Sequence, residues 1–358
     1  MTQVYRWFRP LVFLQEPEKA HDRIVKVGKF LGNNSLVRGL FNYEDKRLNV
    51  EVNGIRFENP IGLAAGFDKN AVLTDFVESL GFGFEEVGSV SLLPREGNEK
   101  PRLFRLVEDF GVINRMGLNN HGAHVINKRL EERSGGIPLG VNIAKTHDSE
   151  IMGEEAIMDF VECYRVMCEG DYVVLNISCP NTAEGKTFED AGILRELLEE
   201  IGRVRRNYGD ARPLFVKVSP DLDEIGLSEL LGVCEDFGVN GYVAVNTSSR
   251  RDGLLTDIKR LWEIGLGGLS GEPIKERSTK MIRKIYHETC GEKTVIGIGG
   301  IFNSHDAYEK ILAGASLVQL YTGMVYEGPG IVKRIKMGLV ELMERDGVSS
   351  LGEIVGKG

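Results

Sequence analysis

PLFVKVSPDLDEIGLSELLGVCEDFGVNGYVAVNT, residues 213–247, sets two short β-branched runs on either side of a segment with helical apolar spacing. The first run (213–219) stops at a serine followed by proline, and the second (241–247) at asparagine and threonine. Between them, residues 227–237 repeat apolar side chains at the spacing of a helix face. Strand, helix and strand in so short a stretch is the unit of a parallel sheet, whose neighbouring strands need a long crossover connection.

The same unit recurs along the chain. PIGLAAG (60–66), FEEVGSV (84–90), IPLGVNIA (137–144), YVVLNIS (172–178), TVIGIGG (294–300) and ASLVQLYTG (315–323) bring the strand count to eight. Helical stretches such as 194–206 separate them. Eight units after residue 47 predict a closed (β/α)8 TIM barrel, with an open doubly wound sheet as the alternative. The interval from 91 to 136 is longer than the others and predicts a lid or binding element over the barrel mouth.

The totals narrow the function classes. With 42% hydrophobic and 27% charged residues the chain is an ordinary globular protein, and a net charge of −9 with no basic tail excludes nucleic-acid binding. Five scattered cysteines, at 163, 168, 179, 234 and 290, lack zinc or redox spacing and predict reduced thiols. No run of eighteen apolar residues or secretory signal is visible, and no metal site is expected at His121 and His124, which lack a carboxylate or thiol cluster.

Residues 1–40 read as a helical hairpin and 41–358 as the barrel. Val4, Trp7, Phe8, Leu11 and Val12 form an apolar stripe in which Pro10 predicts a kink or restart. Pro17 suits a first helical position, and Ala20, Ile24, Val27 and Leu31 make a second stripe. Two readings stand: the stripes pack on the core, or they lie on a membrane surface, for which Trp7 and Phe8 beside Arg6 and Arg9 are suited.

In such a barrel the active site collects at the carboxyl ends of the strands. Those ends carry Lys69, Ser89, Asn142, Asn176, Lys217, Asn246, Gly299 with Gly300, and Tyr321 with Thr322. Eight polar or glycine ends around one mouth predict a polar pocket. The glycines after the last two strands, with GGLSG at 267–271, favour a phosphate-bearing cofactor. Lys217, flanked by apolar residues, predicts a buried cation that needs an anion or a reduced, electron-rich partner. The asparagines at 114, 119, 142, 176, 181 and 246 suit a ligand with amide edges. Cys179 ends a strand in a Cys-Pro-Asn turn; it reads as a small core residue or as a thiolate base, and no histidine stands at a strand end to pair with it.

These motifs, NPIGLAAGFDKN (59–70), INRMGLNN (113–120), GVNIAK (140–145), LNISCPNT (175–182), VKVSPDL (216–222), GGLSG (267–271), IGIGGI (296–301) and GASLVQLYTG (314–323), resemble those of the dihydroorotate dehydrogenase family in order and spacing. The resemblance implies a (β/α)8 barrel holding FMN. Ala65, Gly66, Lys69 and Ser89 would line the FMN site from the first two strands. Asn142, Asn176, Lys217 and Val245 would follow from the middle strands, and Gly271, Gly300, Tyr321 and Thr322 from the last. Lys69, Asn114, Arg115, Met116, Gly117 and Leu118, with Asn176, Asn181, Asn246 and Thr247, would hold dihydroorotate. Cys179 would be the base.

The helical extension, PEKAH with His21, and PRLFRL with Arg105 resemble the membrane-associated, quinone-reducing class, in which His21 and Arg105 would flank the quinone entrance. That class uses a serine base, whereas cysteine belongs to the soluble class that uses fumarate or NAD. Val245 and Ser89 also depart from the usual threonines, and residues 183–190 from the usual sequence. The extension carries more weight than one atom of a side chain, so the expectation is a quinone-type enzyme with a cysteine base, peripheral on the cytoplasmic face of the cell membrane. A soluble dihydroorotate or dihydropyrimidine-type dehydrogenase is the alternative, and a non-catalytic flavin-binding barrel is the reading from another class.

Overall fold

The structure, a computed structural model, describes residues 2–133, 136–178 and 187–358; Cys179, Pro180 and Asn181 lie outside them. Eight parallel strands close into a barrel: β1 (Ile61–Leu63), β2 (Phe84–Val90), β3 (Leu139–Ile143), β4 (Tyr172–Asn176), β5 (Leu214–Val218), β6 (Gly241–Ala244), β7 (Thr294–Ile298) and β8 (Leu317–Leu320). All eight lie in the expected runs. Closure rules out the open sheet, since β8 pairs with β1 through Val318 opposite Ile61 and Leu320 opposite Leu63. The strands read as nearly unbroken apolar runs because helices cover the barrel outside while side chains fill its interior.

The helices are fixed by local signals. Helix Ala191–Tyr208 starts where the Asp190 carboxylate accepts from the N–H groups of Gly192 and Ile193, and helix Glu224–Asp236 starts at Asp223 in the same way. At the amino end of the barrel, a hairpin of Val50–Val52 and Ile55–Phe57 plugs the interior. There Phe57 packs with Phe84, Tyr172, Phe215, Val243 and Ile296. Gly140 is required in β3, because a Cβ there would lie 2.2 Å from the Tyr172 ring.

Over the opposite mouth, the long interval after β2 forms the antiparallel strands Leu103–Leu106 and Gly111–Asn114. A third strand, Gly268–Gly271, joins them. GGLSG borders the mouth as expected and is also a strand, which pins the lid to the loop after β6.

Three helices precede the barrel: α1 (Thr2–Phe13), α2 (Pro17–Leu31) and α3 (Ser35–Phe41). α1 runs through Pro10 without restarting, at the loss of one N–H that would have met the Arg6 carbonyl. α2 begins with Pro17 at its first position and the Glu16 carboxylate accepting from the Glu18 and Lys19 N–H groups. The core-packing reading holds for Ala20, which is buried, and fails for much of both stripes: Trp7 is 81% exposed, Leu11 61% and Val27 54%. No helix among the described residues is long and apolar enough to cross a membrane.

Candidate active site

A cavity of about 710 Å³ opens at the carboxyl ends of the barrel strands, beneath the lid. Ala65, Gly66 and Lys69 line it after β1, Ser89 at the end of β2, Asn176 at the end of β4, Lys217 within β5, and Val245, Asn246 and Thr247 after β6. Gly300 follows β7, and Tyr321 and Thr322 follow β8; Gly271 and the lid residues Asn114, Arg115, Met116, Gly117 and Leu118 complete the wall. Asn142 is the exception among the described candidates. It is fully buried one layer below, where Ser89 donates to its Oδ1 and its Nδ2 donates to Glu86 Oε1 (2.8 Å).

A single hydrogen-bonded net organises the floor. Asn176 Nδ2 donates to Ser89 Oγ (3.0 Å), while Asn176 Oδ1 accepts from Ser178 Oγ (3.0 Å) and Asn246 Nδ2 (3.1 Å). Asn246 is fixed in turn, since its Oδ1 accepts from the Thr247 N–H at 2.8 Å. Amides so held present their remaining edges in fixed directions, which a planar ligand with amide groups can match.

Three members of the site were not foreseen. Glu86 is fully buried, with its Oε1 3.8 Å from Lys217 Nζ, and supplies an anion of the kind a buried Lys217 was expected to need. Gln319 on β8 lines the cavity and donates to Glu86 Oε2 (2.7 Å), while its own Oε1 has no partner among the described residues. His147 also lines the cavity; it stands four residues beyond β3, so a reading of strand ends alone passes over it. Burial, with Lys145 and Arg95 nearby, pushes its imidazole below the usual range. Glutamates in the middle of an apolar strand were a readable signal for Glu86. Glu85 beside it is equally buried, but its carboxylate oxygens find no partner among the described residues and burial pushes its pKa well up.

Lys69 and Arg115 are further cations of the cavity. Burial lowers the Lys69 pKa to about 8, Glu18 opposing and Arg102 adding to the effect. His121 and His124 stay apart from the site, His121 against Arg129 and His124 within the helix Ala123–Glu131.

A second, apolar cavity of about 470 Å³ lies between α1, α2 and the barrel. His21 and Arg105 both line it, and Leu103, Val112 and Tyr321 line both cavities. His21 Nε2 meets the Phe67 carbonyl at 2.9 Å, and its ring stands edge-on to Phe67, which stands edge-on to Tyr321. Burial, with Lys69 nearby, pushes the His21 pKa down. Arg105 stacks on Phe13 at 4.6 Å and donates to the Gln15 carbonyl (2.8 Å).

α2 is tied to the lid by a buried ion pair. Glu18 accepts from Arg102 Nη2 (2.7 Å) and Nε (3.2 Å), while Arg102 Nη1 donates to the Asn98 carbonyl (2.8 Å) beside the cavity. Removing Arg102 leaves Glu18, among the described residues, paired with the exposed Lys100 alone (3.1 Å), so Arg102→Met is expected to destabilise the protein by about 2 kcal/mol. Arg195→Ala, which breaks an exposed pair with Asp236, should cost less than about 1 kcal/mol. Urea unfolding of both variants checks the difference; equal small losses would show that the latch contributes nothing.

Comparison with known proteins identifies relatives over nearly the whole chain. A family model described as Dihydroorotate dehydrogenase matches residues 47–343. The chain is 40% identical over 366 residues to a dihydroorotate dehydrogenase (quinone) of Nostoc punctiforme, covering 97% of this chain and 96% of the relative. It is 42% identical over 362 residues to one from a Roseiflexus species, covering 99% of each. Among solved structures, that of DHODH in complex with ferulenol from Eimeria tenella is similar with a TM-score of 0.83 at 33% identity, covering 95% of each chain.

Proposed function

The chain belongs to the dihydroorotate dehydrogenase family, and from that membership we propose that it oxidises dihydroorotate to orotate in pyrimidine biosynthesis, with FMN in the larger cavity and a quinone as acceptor. The donor set fits a flavin. Lys217 and the second Nδ2 hydrogen of Asn176 offer donors to one end of a flat group, Ser89 Oγ offers an acceptor, and the glycines at 271 and 300 border the part of the cavity that suits a phosphate. When bound, FMN supplies the two-electron acceptor for the oxidation.

The residues divide the remaining work. Lys69 attracts the substrate carboxylate, while Asn114, Asn176, Asn246 and Thr247, with Asn181, hold the ring amides; Arg115, Met116, Gly117 and Leu118 form the lid side. Cys179 follows the cavity residue Ser178 directly and takes the proton from C5 as a hydride leaves C6. His21 and Arg105 flank the quinone, whose apolar body suits the smaller cavity.

The shared wall of the two cavities carries this reading, because it sets an acceptor site beside the redox site. Residues 1–40 then form the quinone-facing unit on the 41–358 barrel. Trp7, Phe8, Leu14 and Phe30, exposed together with Arg6, would rest the hairpin peripherally on the cytoplasmic face of the cell membrane.

Anaerobic turnover of the full-length protein should be much faster with a short-chain ubiquinone than with fumarate; preference for fumarate would overturn the acceptor. Ala20 is buried against the smaller cavity. Ala20→Trp should therefore cost about 2 kcal/mol of quinone affinity by overpacking, roughly 30-fold in quinone KM. Reduction of a soluble dye should stay intact. Equal losses with both acceptors would place the quinone elsewhere.

A further inference from the structure

Glu86 and Lys217 reach the barrel interior from β2 and β5, strands that are not neighbours in the sheet. The carboxylate is fully buried and does not border the cavity, whereas the ammonium does. Among the described residues, Glu86 is contacted by two donors and a cation, Asn142 Nδ2 at 2.8 Å, Gln319 Nε2 at 2.7 Å and Lys217 Nζ at 3.8 Å, with the Tyr172 hydroxyl nearby. Such surroundings suit an ionised, acceptor-only carboxylate.

The 3.8 Å separation is the informative number. It is short enough for strong attraction in a buried setting but too long for a hydrogen bond. Glu86 therefore offsets the charge of Lys217 without claiming its N–H groups, which stay available to a ligand in the cavity. The two amides bond to both carboxylate oxygens and hold them in place below the lysine.

We propose that Glu86 is a positioning residue that sets the reduction potential of the flavin through Lys217. This rests on the flavin reading of the larger cavity. A cation at the flavin edge favours the more negative, reduced ring; a fixed anion behind that cation lowers the field it exerts. The pair makes the flavin a weaker oxidant than Lys217 alone would, leaving reduced cofactor better able to pass electrons on to the acceptor.

The test is an anaerobic dye-equilibrium titration of the purified holoprotein, which reads the potential without turnover. Glu86→Gln keeps the size of the side chain. Gln319 can rotate its amide so that its unpartnered Oε1 accepts from the new NH2, so the fold has a way to satisfy the change. Removing the anion should raise the midpoint, with a reduction equilibrium shifted at least tenfold, about 30 mV for a two-electron couple.

Lys217→Met should shift it in the opposite direction, and the double variant should return toward wild type, an opposition that mere loosening of the fold would not produce. If Glu86→Gln loses its flavin, Glu86→Asp, which draws the carboxylate back from Lys217, should shift the potential the same way by less. An unchanged potential in whichever of the two variants retains flavin overturns the proposal. A colourless wild-type protein would instead overturn the flavin reading itself, and a yellow one that dihydroorotate does not bleach would overturn the substrate.

Discussion

Replacing Cys179 by alanine is expected to lower kcat for dihydroorotate about 10³-fold, the middle of the range for losing a positioned general base. The residue follows Ser178, whose hydroxyl donates to Asn176 Oδ1 and accepts from Asn246 Nδ2 at the cavity floor. That net fixes the point at which the chain leaves β4, one residue before Cys179. Flavin content should not change, because the one proposed cofactor contact on this strand end, Asn176, precedes the substituted residue and is held by Ser89, Ser178 and Asn246. Cys179→Ser should retain part of the activity and displace the rising limb of the kcat–pH profile, which in wild type should lie near a thiol pKa of about 8.5. A kcat unchanged in Cys179→Ala would remove the residue from the mechanism.

Lys69→Met is expected to cost about 3 kcal/mol of substrate binding by leaving the dihydroorotate carboxylate without its buried cation, roughly 10²-fold in kcat/KM. The wild-type pH dependence follows from the same group. Burial places the Lys69 pKa at about 8 in the free protein, so the ammonium is present below that pH and lost above it. KM for dihydroorotate should then be flat up to about pH 8 and rise about tenfold per unit beyond it, since binding needs the protonated form. Lys69→Arg remains charged throughout and should abolish the rise, even if its longer fork binds less well. A KM that stays flat to pH 9.5 in the wild type would show that another group holds the carboxylate. With a thiolate base gaining activity over the same range, kcat/KM should be bell-shaped.

Much of this protein is legible without coordinates. The barrel could be counted because parallel strands covered on both faces must be apolar throughout, and each therefore stands out from the amphipathic helices around it. Lys69, Ser89, Asn176, Lys217, Asn246 and Tyr321 could be chosen because closure of the barrel brings strand ends far apart in sequence to one mouth.

Periodicity could not say which way the hairpin turns its stripe. Trp7 and Leu11 face solvent while Val12 and Ala20 line the smaller cavity, and helical spacing gives a face without naming what lies against it. The strand at 268–271 was hidden among glycines, because its pairing with 111–114 depends on a partner far away in the chain.

The charges were the least legible part. Glu18 meets Arg102 across 84 positions, and Glu86 meets Gln319 across 233. Local sequence says nothing of these partners, and only folding shows that the neighbours stabilise one another. The sequence by itself determined the barrel, the polar mouth and most of its lining, since these follow from local patterns repeated eight times. Only the tertiary structure decided how the charges pair, where the second cavity lies and what the hairpin covers. Those depend on distances between segments remote along the chain, which no local pattern encodes.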